Sequence, residues 1–328
     1  MKIHRPDSHV IWPENFGRRF LISIDTEEEF DWNAPFQRDG HTTISVPKLQ
    51  EFQEFAEAHA FKPVYFIDYA IVQDDTAAAF LKSVAENKTA EIGVHLHPWI
   101  NPPFEENVNV HNSFAGNLPK ELEEEKLVIL RDAIRDRIGI TPTIFRAGRY
   151  GIGPNTTGLL IKHGFVMDSS IRPRFDYSGQ GGPDFLAVGP EPFWWNGDDR
   201  LLEVPLTTVY SGLLRKQAGL VAGAMEKYPL VNAVFSRSKM LERIPLTPEG
   251  ISARETKEAI DVALDDDLRL LVFSFHSPSL APGHTPYVRS QEDLDGFYDW
   301  WREVLGHLET RNVKPVDIGQ LMAAASGA

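Results

Sequence analysis

Cysteine is absent from the 328 residues, which removes disulfides and thiolate ligands together. Any metal the chain holds must therefore be bound by His, Asp or Glu. Basic residues are outnumbered, 33 against 47 acidic, for a net charge of −14, and they form no cluster. A nucleic-acid binder needs a basic face, so that class is excluded. No apolar run reaches the length of a transmembrane span. Residues 1–19 contain no apolar h-region, so no secretory signal is visible and the expected location is the cytoplasm. Linkers, repeats and low-complexity tracts are lacking as well, and nothing in the chain sets an oligomeric state. What remains is 42% apolar and 24% charged, the composition of a soluble globular protein large enough to bury a sizeable core.

Strand and helix patterns alternate along the whole length. Apolar or alternating runs at 20–25, 63–68, 91–97, 142–146, 165–170, 201–206, 268–276 and 313–318 predict strands. Helical periodicity appears at 46–60, 75–86, 121–138, 155–163, 255–264 and 294–308. The segment 209–253 shows no strand pattern and predicts a mostly helical insertion. The Asn-rich stretch 102–119 is too long for a simple connector and is a candidate site loop. Such alternation is the signature of parallel β/α units. Seven or eight of them, in one domain spanning 1–328, fit a complete or distorted barrel, with an open doubly wound sheet as the rival.

The most informative stretch is Glu91-Ile92-Gly93-Val94-His95-Leu96-His97-Pro98-Trp99. On a strand, residues two apart share a face, so His95 and His97 project together. Pro98 cannot donate to a ladder and ends the strand there. Two adjacent imidazoles at a strand terminus make half of a zinc, iron or nickel site; alone, two packed histidines would be the plainer reading. Other ionisable residues share the same kind of position. Asp25, Arg146 with Arg149, Asp168 and His276 all lie at or just past the C-terminal ends of predicted strands, the edge where parallel barrels place their active sites. Singly, Asp25 could be a helix cap, Arg146 an ion-pair partner and His276 a core histidine.

Five stretches in order resemble the NodB-homology polysaccharide deacetylases (carbohydrate esterase family 4), most closely their WalW-like branch. They are Ser23-Ile24-Asp25-Thr26-Glu27, Glu91 to His97, Phe145-Arg146-Ala147-Gly148-Arg149-Tyr150-Gly151, Met167-Asp168-Ser169-Ser170 and Leu271-Val272-Phe273-Ser274-Phe275-His276. The resemblance implies a distorted (β/α)7–8 barrel and metal-dependent removal of N-acetyl groups from an amino sugar or polysaccharide precursor. Asp25 matches the general base, His276 the general acid and Arg146 the partner of the base. Main-chain amides near Tyr150 would donate to the oxyanion, and Trp99 and Asp168 are further candidates for substrate binding. A divalent ion, zinc being the expected one, would be held by Glu27, His95 and His97.

Two positions depart from the family pattern. The usual second aspartate is Thr26, and Glu27, two residues on from Asp25, returns to the same side. The usual histidine four residues after His95 is Trp99, which leaves His97 to supply the second nitrogen. Trp32, Trp99, Trp194 and Trp195 lie near the same edge, either as a sugar platform or as core packing. Glu27, Glu28 and Glu29 could equally form a solvated turn. Two other functions stay open: hydrolysis of a small non-sugar amide on the same barrel, or a catalytically inactive carbohydrate-binding homologue.

Overall fold

Strand β1 (Arg18–Thr26) is the hub of the architecture: its last seven residues are buried in succession. A strand needs that pattern when helices cover one face and a closed interior lies against the other. The computed structural model describes residues 1–3, 9–32, 34–195, 200–218 and 240–327. The other strands are β2 (Val64–Ile67), β3 (Glu91–Leu96), β4 (Ile144–Ala147), β5 (Met167–Asp168), β6 (Phe193–Trp194), β7 (Leu202–Glu203), β8 (Thr208–Ser211), β9 (Glu242–Pro245), β10 (Leu270–His276) and β11 (Val313–Pro315). The main sheet runs β10-β1-β2-β3-β4-β5-β7-β6, with β11 also paired to β1. Each pair from β10 to β7 is parallel, and β6 alone runs antiparallel.

The sheet closes through irregular backbone. Val204 N donates to Asp168 O at 2.8 Å and Leu206 N to Ile171 O at 3.0 Å, which extends β7 alongside the β5 edge. Thr207 N then donates to Val272 O at 3.1 Å, Leu246 N to Thr207 O at 2.9 Å and Ser274 N to Leu246 O at 3.2 Å. Residues 204–207 and 246 thus join the two ends of the sheet into a distorted α/β barrel.

Alternation sorts the side chains. Leu21, Val64, Phe66, Ile144, Met167, Leu202 and Val272 fill the interior, while Phe20, Ile22, Ile24, Phe145 and Phe273 pack outward against helices. Gly93 belongs to the interior set. A Cβ there would stand 2.6 Å from Phe66 and 2.8 Å from Ile144, so the interior has no room for a larger residue. Above this apolar plug, the next inward positions toward the strands' C-terminal ends are Ser23, Asp25, His95, Arg146, Ser274 and His276.

The described α-helices are α1 (Lys48–Ala58), α2 (Tyr69–Gln73), α3 (Asp75–Glu86), α4 (Lys120–Ile138), α5 (Thr156–Lys162), α6 (Ala253–Asp265), α7 (Gln291–Thr310) and α8 (Ile318–Ala325). Ser252 with Glu255 and Ser290 with Asp293 form capping boxes that start α6 and α7. Among the described residues no helix is long and apolar enough to cross a membrane.

Two expectations need correction. The 209–253 segment is bounded by an antiparallel pair, with Ser211 opposite Glu242 and Thr208 opposite Pro245. Each strand is only four residues long, too short to show a period of its own. Residues 219–239 of that segment lie outside the described residues. The final strand stops at Pro315, and Asp317 caps α8, accepting from Gln320 N at 2.8 Å.

Candidate active site

Arg146 and Asp25 form the centre of the barrel's C-terminal end. Arg146 is fully buried, and its donors are taken up around the compass. Nη1 donates to Asp25 Oδ1; Nη2 donates to Ser23 Oγ at 2.8 Å and Ser169 Oγ at 3.0 Å; Nε donates to Ser169 O at 3.0 Å. The guanidinium also lies over the Phe66 ring, 4.3 Å from its centroid. Burial works to raise the Asp25 pKa, but the charge and hydrogen bond of Arg146, with His276 beyond it, outweigh burial and hold the carboxyl at about 2. Asp25 is therefore an ionised, oriented carboxylate at neutral pH.

Beside it, Glu27 Oε2 lies 3.4 Å from both His95 Nε2 and His97 Nε2. All three residues are buried, and their ligand atoms lie within 4.8 Å of one another. Ligands each about 2.1 Å from a tetrahedral ion sit about 3.4 Å apart, so this donor set fits a divalent cation of the zinc type. Burial lowers the pKa of His97 to about 4 and that of His95 well below the usual range, which keeps both imidazoles neutral as ligands must be. Burial, with Glu28, Asp25 and Asp68 nearby, raises Glu27. That crowding of carboxylates is what a bound cation would relieve.

A second layer orients this trio. His97 Nδ1 lies 2.8 Å from Glu28 Oε2, and Trp99 Nε1 donates to Glu28 Oε1 at 2.9 Å. Glu28 N in turn donates to Asp68 Oδ2 at 2.7 Å, and Asp68 Oδ1 caps α2 by accepting from Ile71 N at 2.8 Å. A carboxylate on the far nitrogen of a ligating histidine fixes both tautomer and ring angle. Thr26 faces away from the cluster, buried with its hydroxyl donating to Ile24 O at 3.2 Å. Glu27 reaches the histidines from the next inward position, with one more methylene than an aspartate would have.

His276 ends β10 opposite the centre, its Nε2 3.9 Å from Asp25 Oδ2. Glu249 Oε2 lies 2.7 Å from His276 Nδ1, and Glu249 Oε1 accepts from His276 N at 3.0 Å and Ser279 Oγ at 2.6 Å. Burial would lower the His276 pKa, but Glu249, then Glu27 and Asp25, raise it to about 10. The ring is a cation at neutral pH, with one N–H held by Glu249 and the other directed at the centre.

These groups line one cavity of about 570 Å³, together with Trp32, Phe36, Trp99, Arg149, Tyr150, Arg172, Tyr177 and Tyr287. Asp25, Glu27, His95, His97, Trp99, Tyr150 and His276 are all brought to it, and Arg146 supports it from beneath. Arg149 and Tyr150, at the end of β4, both take left-handed backbone (φ 55 and 60). Such strain in non-glycine residues is characteristic of functional loops. Of the four tryptophans, Trp32 and Trp99 reach the cavity, Trp32 edge-on to His276 at 5.0 Å and Trp99 stacked on His97 at 4.3 Å. Trp194 and Trp195 do not line it; Trp195 Nε1 donates to Glu203 at 3.2 Å.

Asp168 is a correction to the expected set. It sits on β5 one position from the inward-facing Met167, so alternation turns it outward, where it accepts from Ser170 N at 3.0 Å and neighbours Glu203. It does not line the cavity. Three residues of the site were not anticipated. Asp68 closes a predicted strand and carried the same strand-end signal as Asp25. Glu28 lay in a run read as a possible solvated turn. Glu249, inside the segment read as helical, had no local signal at all.

Neither a protein-family model nor a curated protein matches the chain. Its course is similar to those of several solved structures. A Mycobacterium smegmatis protein described provisionally as a polysaccharide deacetylase is 14% identical, with a TM-score of 0.49 over 96% of this chain and 98% of that one. The peptidoglycan deacetylase PdaC from Bacillus subtilis is 11% identical, with a TM-score of 0.40 over 95% and 93%. A family 4 acetyl xylan esterase from Clostridium thermocellum, solved with a cobalt ion, is 11% identical, with a TM-score of 0.43 over 95% and 93%. Similarity at that level leaves the chemistry to be read from the side chains.

Proposed function

We propose that the chain is a metal-dependent amidohydrolase that removes N-acetyl groups from an amino sugar, of the WalW-like deacetylase type. The observation that carries the reading is the convergence of an ionised Asp25, a cationic His276 and the trio Glu27, His95 and His97 on one cavity. Two titratable groups whose pKa values are driven apart in one site mark a base and an acid. A divalent cation held by Glu27, His95 and His97 would polarise the acetamide carbonyl and make a bound water more acidic.

The chain's own residues supply the proton transfers. Asp25, held in place by Arg146, takes the proton of the attacking water as its oxygen bonds to the carbonyl carbon. His276 gives its Nε2 proton to the nitrogen as the C–N bond breaks, and acetate and a free amine result. Main-chain amides near Tyr150 are the candidate donors to the charge that develops on the carbonyl oxygen. Trp32 and Trp99 offer ring faces and edges for a sugar.

The test compares an N-acetyl sugar with an activated acetyl ester, whose leaving group needs no proton. Asp25→Asn should keep the fold and lose roughly 10²–10⁴-fold on both substrates. His276→Ala should lose far more on the amide than on the ester; equal losses would remove His276 from the acid role. Metal-loaded protein that turns over neither substrate, across several N-acetyl sugars, would leave a carbohydrate-binding protein.

A further inference from the structure

Part of the cavity wall is made by two arginines, Arg149 and Arg172, that the reaction above does not use. Neither has a carboxylate partner among the described residues. Arg172 Nη1 donates to the Tyr177 hydroxyl at 3.2 Å, and the guanidinium lies over the rings of Phe175 (4.0 Å) and Tyr150 (5.4 Å). Among the described residues its Nε and Nη2 make no hydrogen bond, and they are not sealed from solvent; the side chain lines the cavity. Arg149 donates to Ser113 Oγ and Gln180 Oε1, both neutral, and lies 4.1 Å over Phe114 and 5.0 Å over Phe36. Tyr177, 5.6 Å from Tyr150, ties the Arg172 side of this wall together.

Acidic side chains outnumber basic ones by 47 to 33, so counter-ions are not scarce in this chain. Aromatic faces and neutral acceptors fix the planes of both guanidiniums without neutralising them. A fixed guanidinium with free N–H groups is matched to a carboxylate or phosphate, which it can engage through paired hydrogen bonds. Elsewhere in the cavity Asp25 is already paired with Arg146 and His276 with Glu249, so among the described residues lining it Arg149 and Arg172 are the cations that have no carboxylate partner.

We propose that Arg149 and Arg172 form a subsite for an anionic group of the substrate, so that the preferred ligand is an acidic N-acetylamino sugar bearing a carboxylate or a phosphate. For the reaction, this rests on the deacetylase reading; for binding, it stands on the two arginines. The acetamide then lies toward Asp25 and His276, and the anionic group lies toward Tyr177.

Isothermal titration with N-acetylglucosamine, N-acetylmuramic acid and N-acetylglucosamine 1-phosphate tests it, with acetate release measured in parallel. At least one acidic probe should bind the wild type about tenfold or more tighter than the neutral sugar, the range for a charged hydrogen bond. That preference should weaken with salt, and the two acidic arms show whether carboxylate or phosphate is favoured. Arg172→Met should collapse the acidic-to-neutral ratio, and Arg172→Lys should restore part of it. Arg149→Met provides the same readout if Arg172→Met unfolds, as judged by its melting temperature. Equal binding of acidic and neutral probes, no binding of either acidic probe, or a ratio unmoved in both folded methionine variants overturns the subsite. Acidic preference without acetate release would support the subsite and refute the deacetylase reading; acetate release without acidic preference would do the reverse.

Discussion

Glu249→Gln isolates one charge at the site while keeping the shape of its side chain. The His276 pKa rises from 6.5 to about 10, a shift that corresponds to about 5 kcal/mol favouring the imidazolium. Burial opposes that shift, and Glu249 is the largest of the charges that produce it. A contacting opposite charge is worth roughly 1–3 units, so the glutamine variant should lower the His276 pKa by about 2 units. A histidine whose folded pKa is raised contributes stability below its unfolded pKa of 6.5 and loses it as pH climbs through about 10. The variant should accordingly be less stable by about 3 kcal/mol near pH 7, with the difference shrinking between about pH 8 and pH 10 and gone above that. Titration of isotope-labelled imidazole by NMR reads the pKa without reference to activity. In the deacetylase reading, the basic limb of the pH–rate profile should move down by the same amount. An unchanged His276 midpoint in Glu249→Gln would refute the electrostatic account, whatever happened to turnover.

Glu123 tests the opposite sign far from the site. It is buried on α4 with Oε2 unpartnered and Oε1 accepting from Thr156, and burial raises its pKa from 4.5 to about 7. Folding therefore favours the protonated acid, and stability is lost as pH rises through that window. Glu123→Gln should be more stable than wild type at pH 8 by about 3 kcal/mol and equal to it below pH 4.5; urea unfolding at the two pH values decides. Glu28→Gln should weaken binding of a divalent cation by about 10–100-fold, because Glu28 orients His97 and anchors Trp99. Competition against a chelator measures this, and an unchanged affinity would show that the cation binds elsewhere.

The parallel frame was legible because buried apolar runs recur between helical periods along the chain, and the longest strands show it most plainly. β1 and β10 are long and buried on both faces, and β3 announces its polarity through two histidines and a proline. Strand-end placement located Asp25, Arg146 and His276 for the same reason: a parallel barrel collects those ends on one side. What stayed hidden depends on contacts across the chain. Glu249 meets His276 only because the backbone after β9 folds over the end of β10. Whether Asp168 faces inward depends on a single residue of register, and β5 is too short to declare it. Thr26 looked like a lost ligand, whereas alternation turns that position away from the histidines and puts Glu27 beside them.

The β8–β9 pair has a bearing on how the chain can be re-engineered. Ser211 and Glu242 sit directly opposite one another, so the two strands hold the ends of the intervening sequence at neighbouring points. The cost of closing a loop grows only with the logarithm of its length, so sequence joining two paired strand ends can be lengthened, shortened or exchanged with little effect on the frame that bears it. The pair also flanks the irregular seam through Thr207 and Leu246 that joins the two ends of the sheet. The Ser211–Glu242 end of the pair, away from that seam, is thus the natural graft point of the molecule, a place where a foreign module could be spliced in while Asp25, Arg146 and the two histidines keep their positions on other strands.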